Sequence, residues 1–255
     1  MQCTNHLREL ARRIIEERRI ALALEYRAVP IQPVIPFDSI PLLASIRGGD
    51  RAALEPLCRL RGYDKGETIF EEGAPADRIH FVVHGRVKIV KAAGTRDIIL
   101  EILGPGEPVG AVAAFERRPF PATAITLEPS SILSIPEREF FQLLESRPDM
   151  NRHLLGGVTM RLMMMNKRLA DMTGTAEARA AKLFLTLAER MGERRADATF
   201  IPLALSRQEL ADLIGTTLET AIRLMSRWQK EGVVITEKDG FVIADAAVLR
   251  AVAEV

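Results

Sequence analysis

The spacing of hydrophobic residues changes along the chain, and its middle part has the spacing of β-strands. From residue 63 onwards, short apolar stretches alternate with glycines at positions 66, 73, 85, 94, 104, 106 and 110. Residues 86–89 alternate polar and apolar side chains, and residues 98–103 and 122–127 are rich in β-branched ones. At least six strands fit before Pro136, and so many short antiparallel strands predict a barrel or jelly roll.

Helical spacing returns after the predicted barrel. Ser134 to Glu137 indicate a capping box, which predicts a helix through Leu144, and a longer helix follows Pro148. The longer helix carries a heptad seam formed by Leu155, Val158, Leu162, Met165, Leu169 and Met172. Such a seam packs either on the chain's own barrel or on the same helix of a second copy, and we expect the parallel homodimer. Residues 173–175 break the helix and form a candidate hinge.

The C-terminal part has the pattern of two short helices followed by a hairpin. Residues 176–191 predict a helix, residues 198–205 a strand, and Ser206 to Glu209 a capping box that opens the next helix. That helix ends at Gly215, and a second helix runs from Thr216 or Thr217 to about Glu231. We expect it to bury, in part, Leu218, Ala221, Ile222 or Leu224, Met225 and Trp228. A hairpin with an Asp-Gly turn and a terminal helix over 245–254 complete a winged helix-turn-helix.

These patterns predict an α+β protein with an antiparallel jelly-roll sensor domain, a long dimerisation helix and a winged helix-turn-helix domain. A helix over residues 7–25 precedes them, and prolines follow it. The predicted parts are an N-terminal helical extension and linker (1–37), a β-barrel sensor domain (38–147), a dimerisation helix with its hinge (148–174) and a DNA-binding domain (175–255).

Composition narrows the class of protein. The 255 residues carry a net charge of +1, so no global basic field indicates nucleic acid. The longest uncharged run, residues 28–37, is too short to span a membrane, and the charged N-terminus does not predict a signal peptide. We therefore expect a cytoplasmic protein without a membrane partner.

The order of five segments resembles one protein family. The segments are YDKGETIFEEG at 63–73, IHFVVHGRV at 79–87, residues 110–124, LSRQELADLIG at 205–215 and ETAIR at 219–223. Together they resemble the family of the cyclic-AMP receptor protein and the fumarate-nitrate reduction regulator, over about residues 38 to 244. The resemblance implies a homodimeric transcription regulator that binds double-stranded DNA, with RNA polymerase as a further partner.

The second helix of the pair carries the candidate base-reading residues. Glu219 and Arg223 lie four residues apart and share a face, where Arg223 can grip guanine and Glu219 can accept from cytosine. The family has Glu and Arg at these positions. Two other readings remain: Glu219 caps the helix for Thr216, or the two side chains form a surface ion pair. Ile222 stands where related regulators carry a small residue, and it can touch a thymine methyl group.

Candidate phosphate contacts surround these residues. Ser206, Arg207 and Gln208 match positions at which the family meets the DNA backbone, and a helix N-terminus favours an anion. Thr217 and Arg227 are further candidates. Residues 175–255 hold 11 basic and 12 acidic side chains, so the case depends on the clustering of basic residues on the helix pair rather than on net charge.

The candidate effector pocket lacks the residues that the family uses for a cyclic nucleotide. After the glycine that corresponds to Gly110, the family needs a glutamate for the ribose and an Arg-Ser pair for the phosphate. The matching residues here are Ala111, Pro121 and Ala122, and the polar positions on the dimer helix are changed towards Met164, Met165 and Asn166. We therefore expect no control by cyclic AMP, although Arg117 and Arg118 nearby keep an anion possible.

Other cofactors have weaker support. A four-cysteine iron-sulfur cluster needs more thiolates than Cys3 and Cys58 supply, and Cys3 with His6 is a C-x-x-H pair in a terminal tail. Haem is possible. Its candidate axial ligands are His80, His84 and His153, and methionines 160 and 163–165 either face an apolar ligand or pack as core. Equally, the protein needs no ligand if the seam alone holds the arrangement that binds DNA.

Two functions of other classes make different demands on the sequence. A jelly-roll enzyme needs histidines and carboxylates clustered on strands, and the four histidines are scattered, so we expect no catalytic residues and no metal site. A ligand-binding module whose winged domain contacts protein differs from a DNA-binding regulator in not needing Arg223.

Overall fold

The computed structural model describes residues 35–93 and 96–254. The predicted helix over 7–25, Cys3 and His6 lie outside the described residues. The chain before the barrel forms 3₁₀ turns at Phe37–Ser39 and Glu55–Leu57 and helix α1 at Gly48–Leu54.

Two antiparallel sheets form the sensor barrel. Its strands are β1 (Arg59–Tyr63), β2 (Thr68–Phe70), β3 (Arg78–His84), β4 (Val87–Ala93), β5 (Arg96–Leu103), β6 (Pro108–Val109), β7 (Thr123–Thr126) and β8 (Ser130–Pro136), with helix α2 (Ala111–Glu116) between β6 and β7. The sheet orders are β1-β8-β3-β6 and β2-β7-β4-β5. Two four-stranded antiparallel sheets in this arrangement confirm the predicted jelly roll.

The barrel core divides between the inside of the barrel and the surface covered by the helical turns. Val82, Val87 and Ile132 belong to the inner cluster, whereas Phe81, Leu133 and Phe140 belong to the cluster under the turns. Successive residues of β3 and β8 thus face opposite sides, which is the two-residue period of a strand. Ile35 and Phe37, at the end of the segment assigned to the N-terminal extension, are buried in the second cluster.

The capping box predicted at Ser134 is wrong. Strand β8 continues through Pro136, and helix α3 (Glu137–Ser146) begins without a side-chain cap. Ser134 pairs with Arg59 of β1 and with His80 of β3, and its hydroxyl accepts a hydrogen bond from Arg78 Nε at 3.1 Å. Pairing on both sides of the strand therefore outweighs the local capping pattern.

The long helix and the hinge separate the barrel from the C-terminal domain. Helix α4 spans Pro148–Asp171, and the chain leaves the helix before α5 (Ala176–Met191) begins. Thr175 caps α5, because its hydroxyl accepts a hydrogen bond from the Ala178 N–H at 3.1 Å. The predicted break at residues 173–175 is thus confirmed.

The C-terminal domain has the predicted winged helix-turn-helix order. Its further elements are β9 (Glu193–Arg195), β10 (Ala198–Ile201), α6 (Arg207–Ile214), α7 (Leu218–Glu231), β11 (Val234–Glu237), β12 (Gly240–Ile243) and α8 (Ala246–Ala253). The strands form a sheet in the order β11-β12-β10-β9.

Three local predictions in this domain need correction. Strand β10 stops at Ile201 rather than at residue 205, because Pro202 has no N–H for the ladder. The hairpin turn is Lys238-Asp239, and Gly240 starts β12, where a Cβ atom would lie 2.0 Å from the Ile201 carbonyl oxygen. Leu218 is exposed, whereas the buried face of α7 consists of Ala221, Leu224, Met225 and Trp228.

One buried cluster joins the barrel to the C-terminal domain. Val90, Ile99, Ile102 and Leu127 of the barrel belong to the same cluster as Leu210, Leu213 and Ile214 of α6. Strand β5 packs directly on α6. The two domains therefore share apolar surface as well as the covalent hinge.

Candidate nucleic-acid interface

The capping box of α6 forms as the sequence predicts. The Ser206 hydroxyl accepts from the Glu209 N–H at 3.1 Å, and Glu209 Oε2 accepts from the Ser206 N–H at 2.9 Å. These bonds satisfy backbone donors at the start of the helix. They leave Ser206 and Gln208 exposed at that end.

Helix α7 is capped by Thr217, which decides one alternative for Glu219. The Thr217 hydroxyl accepts from the Thr220 N–H at 3.3 Å, so the third helical residue is Thr220 and not Glu219. The capping role considered for Glu219 is therefore excluded. Glu219, Ile222 and Arg223 are exposed, and neither charged side chain has a hydrogen bond or ion pair with a described residue.

The opposite face of α7 fixes the direction in which these three residues point. Trp228 is 1% exposed, lies edge-on to Phe184 at 6.0 Å between ring centroids, and donates from Nε1 to Glu177 Oε1 at 3.2 Å. Arg227 pairs with the same carboxylate. Because a buried aromatic ring and a hydrogen bond hold this face, the helix cannot turn about its axis without leaving a polar group unpaired.

The candidate phosphate residues Arg207 and Gln208 have partners in the domain. Arg207 is half-buried and donates from Nη2 to the Thr236 hydroxyl at 2.8 Å, which ties α6 to strand β11 of the wing. Burial lowers the pKa of Arg207 from its usual value. Gln208 donates to Asp212 one turn later at 2.7 Å. Of the five candidates, Ser206, Gln208, Thr217 and Arg227 lie on the exposed surface.

Arg179 links the hinge to the turn between α6 and α7, and sequence reasoning did not identify it. Its guanidinium donates to the carbonyl oxygens of Ile214 at 2.6 Å, Gly174 at 2.7 Å and Gly215 at 3.1 Å. Gly174 lies in the hinge, and Gly215 is the left-handed residue that ends α6. A single side chain thus fixes the entry to the domain against the helix pair, and no local pattern in the sequence marks such long-range contacts.

The residues of the seam on α4 face solvent. Leu155, Val158, Leu162, Met165 and Met172 are between 41% and 67% exposed, and the side chain of Leu169 lies outside the described residues. The start of the helix packs on the barrel through Met150 and Leu154, and Arg161 in its middle forms an ion pair with Glu101 of β5. The described seam residues are therefore not covered by the chain's own barrel, which was the alternative to a partner helix.

Aromatic rings occupy the candidate effector region. Phe120 stacks on Phe70 with ring centroids 3.6 Å apart, and a Cβ atom at Gly110 would lie 2.5 Å from Phe120. Gly110 has φ +73° and starts α2 together with Ala111, while Pro121 is exposed and Ala122 is buried. Arg117 and Arg118 are exposed and pair with Glu137 and Glu116. Met164, Met165 and Asn166 lie exposed on α4. The side chains nearest to Gly110 are the apolar rings of Phe70 and Phe120.

The candidate haem and metal ligands lie apart from one another. His80 packs beside the Phe70 and Phe120 rings, at 5.4 and 6.2 Å between centroids, and burial lowers its pKa to about 4. A haem at His80 does not fit unless the two rings move, whereas His84 and His153 are exposed. Burial raises the pKa of Cys58 to about 11, which disfavours the thiolate that a metal requires. Within residues 35–93 and 96–254, no group of histidine, cysteine and carboxylate side chains has the arrangement of a metal site.

Comparison with known proteins decides the family. Residues 60–147 match the family described as Cyclic nucleotide-binding domain, and residues 178–252 match the Crp-like helix-turn-helix domain. The transcriptional activator protein anr of Pseudomonas aeruginosa is 31% identical over 203 residues, which cover 76% of this chain and 80% of that protein. This chain belongs to the CRP/FNR family of transcription regulators.

Two further relatives span most of this CRP/FNR regulator. The CRP-like cAMP-activated global transcriptional regulator of Mycobacterium tuberculosis is 29% identical over 197 residues, covering 76% of this chain and 88% of that protein. A crystal structure of a CRP-family regulator from Thermus thermophilus matches with a TM-score of 0.66 at 21% identity, covering 76% of this chain and 97% of that one. The second comparison shows that the fold is shared. Among the described residues, no helix is both long and apolar enough to cross a membrane.

The Arg179 contacts predict a measurable loss of stability. Replacing Arg179 with methionine removes the donor for three carbonyl groups, and we expect a loss of about 2 kcal/mol in the free energy of unfolding. Arg179→Lys should recover part of it, because one ammonium group cannot reach all three acceptors. Denaturant unfolding followed by tryptophan fluorescence measures the change, since Trp228 lies in the same domain.

The matched control is Arg250→Met, which removes an exposed arginine on α8 of the same domain. Its free energy of unfolding should stay within about 0.5 kcal/mol of the wild type. Equal losses for the two variants would contradict the role assigned to Arg179.

Proposed function

We propose that this CRP/FNR regulator binds a two-fold symmetric DNA site as a homodimer and reads it in the major groove with α7, without control by cyclic AMP. The observation that carries the proposal is the division of α7 into a buried face and an exposed face. Its exposed face carries Glu219, Ile222 and Arg223, and its buried face is anchored by Trp228. This is the arrangement that a recognition helix needs.

The chemistry of the exposed face suits particular bases. The Arg223 guanidinium has the fork geometry that grips O6 and N7 of guanine, and the Glu219 carboxylate accepts from N4 of cytosine. Ile222 offers only apolar contact, which suits a thymine methyl group. Each half-site therefore contains a guanine read by Arg223, with a neighbouring preference set by Ile222.

The phosphate contacts come from the ends of α6 and α7. Ser206, Gln208 and Thr217 lie exposed at the two helix N-termini, where backbone N–H groups and the helix dipole favour an anion. Arg207 adds positive charge in the first turn of α6, and Arg227 lies towards the other end of α7, where it pairs with Glu177. Since the domain has no net positive charge, affinity depends on this local cluster and on its duplication in a dimer.

The exposed seam on α4 supports the homodimer. An apolar stripe at heptad spacing on an otherwise polar helix is typical of a parallel coiled coil. Pairing of the two α4 helices places the two winged domains around one axis, which matches a palindromic site. A regulator of DNA acts on the chromosome, so we place it in the cytoplasm, with RNA polymerase as the partner through which it acts.

The aromatic filling of the effector region supports independence from cyclic AMP. The phosphate of a nucleotide needs a cation or several donors, and Pro121 and Ala122 stand at the positions of the Arg-Ser pair that would supply them, while Ala111 stands at the position of the ribose-binding glutamate. The Phe70–Phe120 stack lies against Gly110 instead. The arrangement of α4 and the winged domains then exists without a ligand in this pocket.

Selection of binding sites from a random DNA pool tests base reading. We expect a palindrome with guanine in each half-site, and Arg223→Ala should weaken specific binding about 100-fold, because each half-site loses a bidentate contact. Electrophoretic shift measures the affinity, and Arg250→Ala on α8 should bind like the wild type. A selected site without guanine, or an Arg223→Ala variant with unchanged specificity, would contradict the proposal.

Sedimentation equilibrium tests the homodimer. Leu162→Glu places two charges in the middle of the seam, and we expect the dimer to dissociate to monomers with the barrel still folded. Met160→Glu is the control, since Met160 is equally exposed but lies on the opposite side of α4 from the seam. Dimers of Leu162→Glu as stable as those of the wild type would refute the seam assignment.

Titration with cyclic AMP tests whether the protein is independent of this nucleotide. Because Pro121 and Ala122 replace the Arg-Ser pair that would bind the phosphate, calorimetry should detect no binding at millimolar nucleotide, and affinity for the selected DNA should not change. An increase in DNA affinity of fivefold or more on adding cyclic AMP would overturn this part of the proposal.

A further inference from the structure

A lysine of the sensor barrel binds the first helix of the DNA-reading pair. Lys88 lies on β4, and its Nζ donates to Oε1 of Glu209 on α6 at 2.7 Å. The Lys88 side chain is 19% exposed and that of Glu209 is 14% exposed. An ion pair withdrawn this far from water is stronger than one on the surface, and it breaks at greater cost.

Glu209 takes part both in the capping box of α6 and in the ion pair with Lys88. Its Oε2 accepts from the Ser206 N–H and hydroxyl in the capping box, while its Oε1 accepts from Lys88. Burial alone would raise the pKa of Glu209, but the bonds from Lys88 and Ser206 outweigh this and leave it below the usual value. The carboxylate is therefore charged at neutral pH and bound on both sides.

The ion pair stands at the edge of an apolar contact. Ile99 and Val90 of the barrel share a buried cluster with Leu210 and Leu213 of α6. A second charged contact, from Arg190 of α5 to Glu107 of the barrel at 3.3 Å, lies elsewhere on the same boundary. The barrel thus holds the first helix of the reading pair through a half-buried ion pair and an apolar contact, as well as through the hinge.

The candidate phosphate contacts at the start of α6 lie beside this ion pair. A cleft of about 470 Å³ is lined by Ser206 and Gln208 of α6 and by Lys88 and Ile99 of the barrel. Ser206 and Gln208 are nevertheless exposed. The contact with the barrel therefore fixes the part of α6 that carries these two candidates.

We propose that Lys88 is a positioning residue for DNA recognition, which holds α6 and α7 at one orientation to the barrel and so sets the half-site spacing that a dimer accepts. The inference rests on the proposed function. Residues 173–175 are the covalent link between α4 and the winged domain, and a link of this kind allows rotation. Two reading helices match two half-sites at one separation only if such rotation is prevented.

Binding to DNA of altered spacing tests the proposal. The probes are the site obtained by selection and the same site with one base pair inserted between the half-sites, which turns one half-site by roughly 35°. The wild type should prefer the selected spacing strongly. Lys88→Met keeps the apolar stem and loses the charge, and we expect it to lose roughly tenfold in affinity on the selected spacing and less than twofold on the altered one.

The matched control is Lys91→Met on the same strand. Lys91 pairs with Glu72 and donates to the Pro121 carbonyl, both within the barrel. This variant should keep the spacing preference of the wild type. A Lys88→Met variant that discriminates between the two spacings as well as the wild type does would overturn the proposal.

A double-mutant cycle separates the ion pair from general damage. Glu209→Gln keeps an acceptor for the capping box but removes the charge. If the two residues act together, Lys88→Met with Glu209→Gln should lose no more spacing preference than the more affected single variant. If the losses of spacing preference in the two single variants multiply in the double variant, Lys88 and Glu209 act separately, which would contradict the proposal.

Cleavage of the hinge gives a readout that needs no DNA. Limited proteolysis with subtilisin should cut residues 173–175 several times faster in Lys88→Met than in the wild type or Lys91→Met, because the winged domain moves more freely. Equal rates would overturn the proposal. A wild type without specific DNA binding but with this difference in cleavage would contradict the proposed function and leave the barrel contact supported.

Discussion

The exposed reading face of α7 depends on the burial of its other face. Trp228 packs against Phe184 and donates to Glu177, and Leu224 and Met225 fill the space beside it. The side of α7 that carries Arg223 therefore has a fixed orientation within the domain. The capping bonds of Ser206 and Thr217 fix the first turns of α6 and α7 in the same way.

Whether a feature can be predicted from the sequence depends on how far apart along the chain its interacting residues lie. The capping box at Ser206 needs only residues three apart, and the pattern identified it. The same pattern at Ser134 failed, because pairing with Arg59 and His80, 75 and 54 residues away, placed it in a strand. The bond between Lys88 and Glu209 joins residues 121 apart, so no motif could reveal it. The order of the five segments along the chain indicated the family, because this order does not depend on individual contacts.

The sensor barrel has the jelly-roll fold, and aromatic rings fill the region of its candidate effector pocket. The jelly roll has two four-stranded sheets and a left-handed Gly110 at the start of α2, and Phe70 and Phe120 stack beside that glycine. Stacked rings bury apolar area within the barrel and stiffen the segment before β7.

The hydrogen bonds of Arg179 affect which substitutions the hinge and the turn between α6 and α7 can accept. Its three acceptors are main-chain carbonyls of Gly174, Ile214 and Gly215, and every substitution in the hinge or the turn retains a carbonyl. The hydrogen bonds therefore depend on the Arg179 side chain and on the left-handed backbone of Gly174 and Gly215, and not on the identity of the side chain at Ile214. The exposed residues of α7, such as Ile222, can vary without changing these bonds.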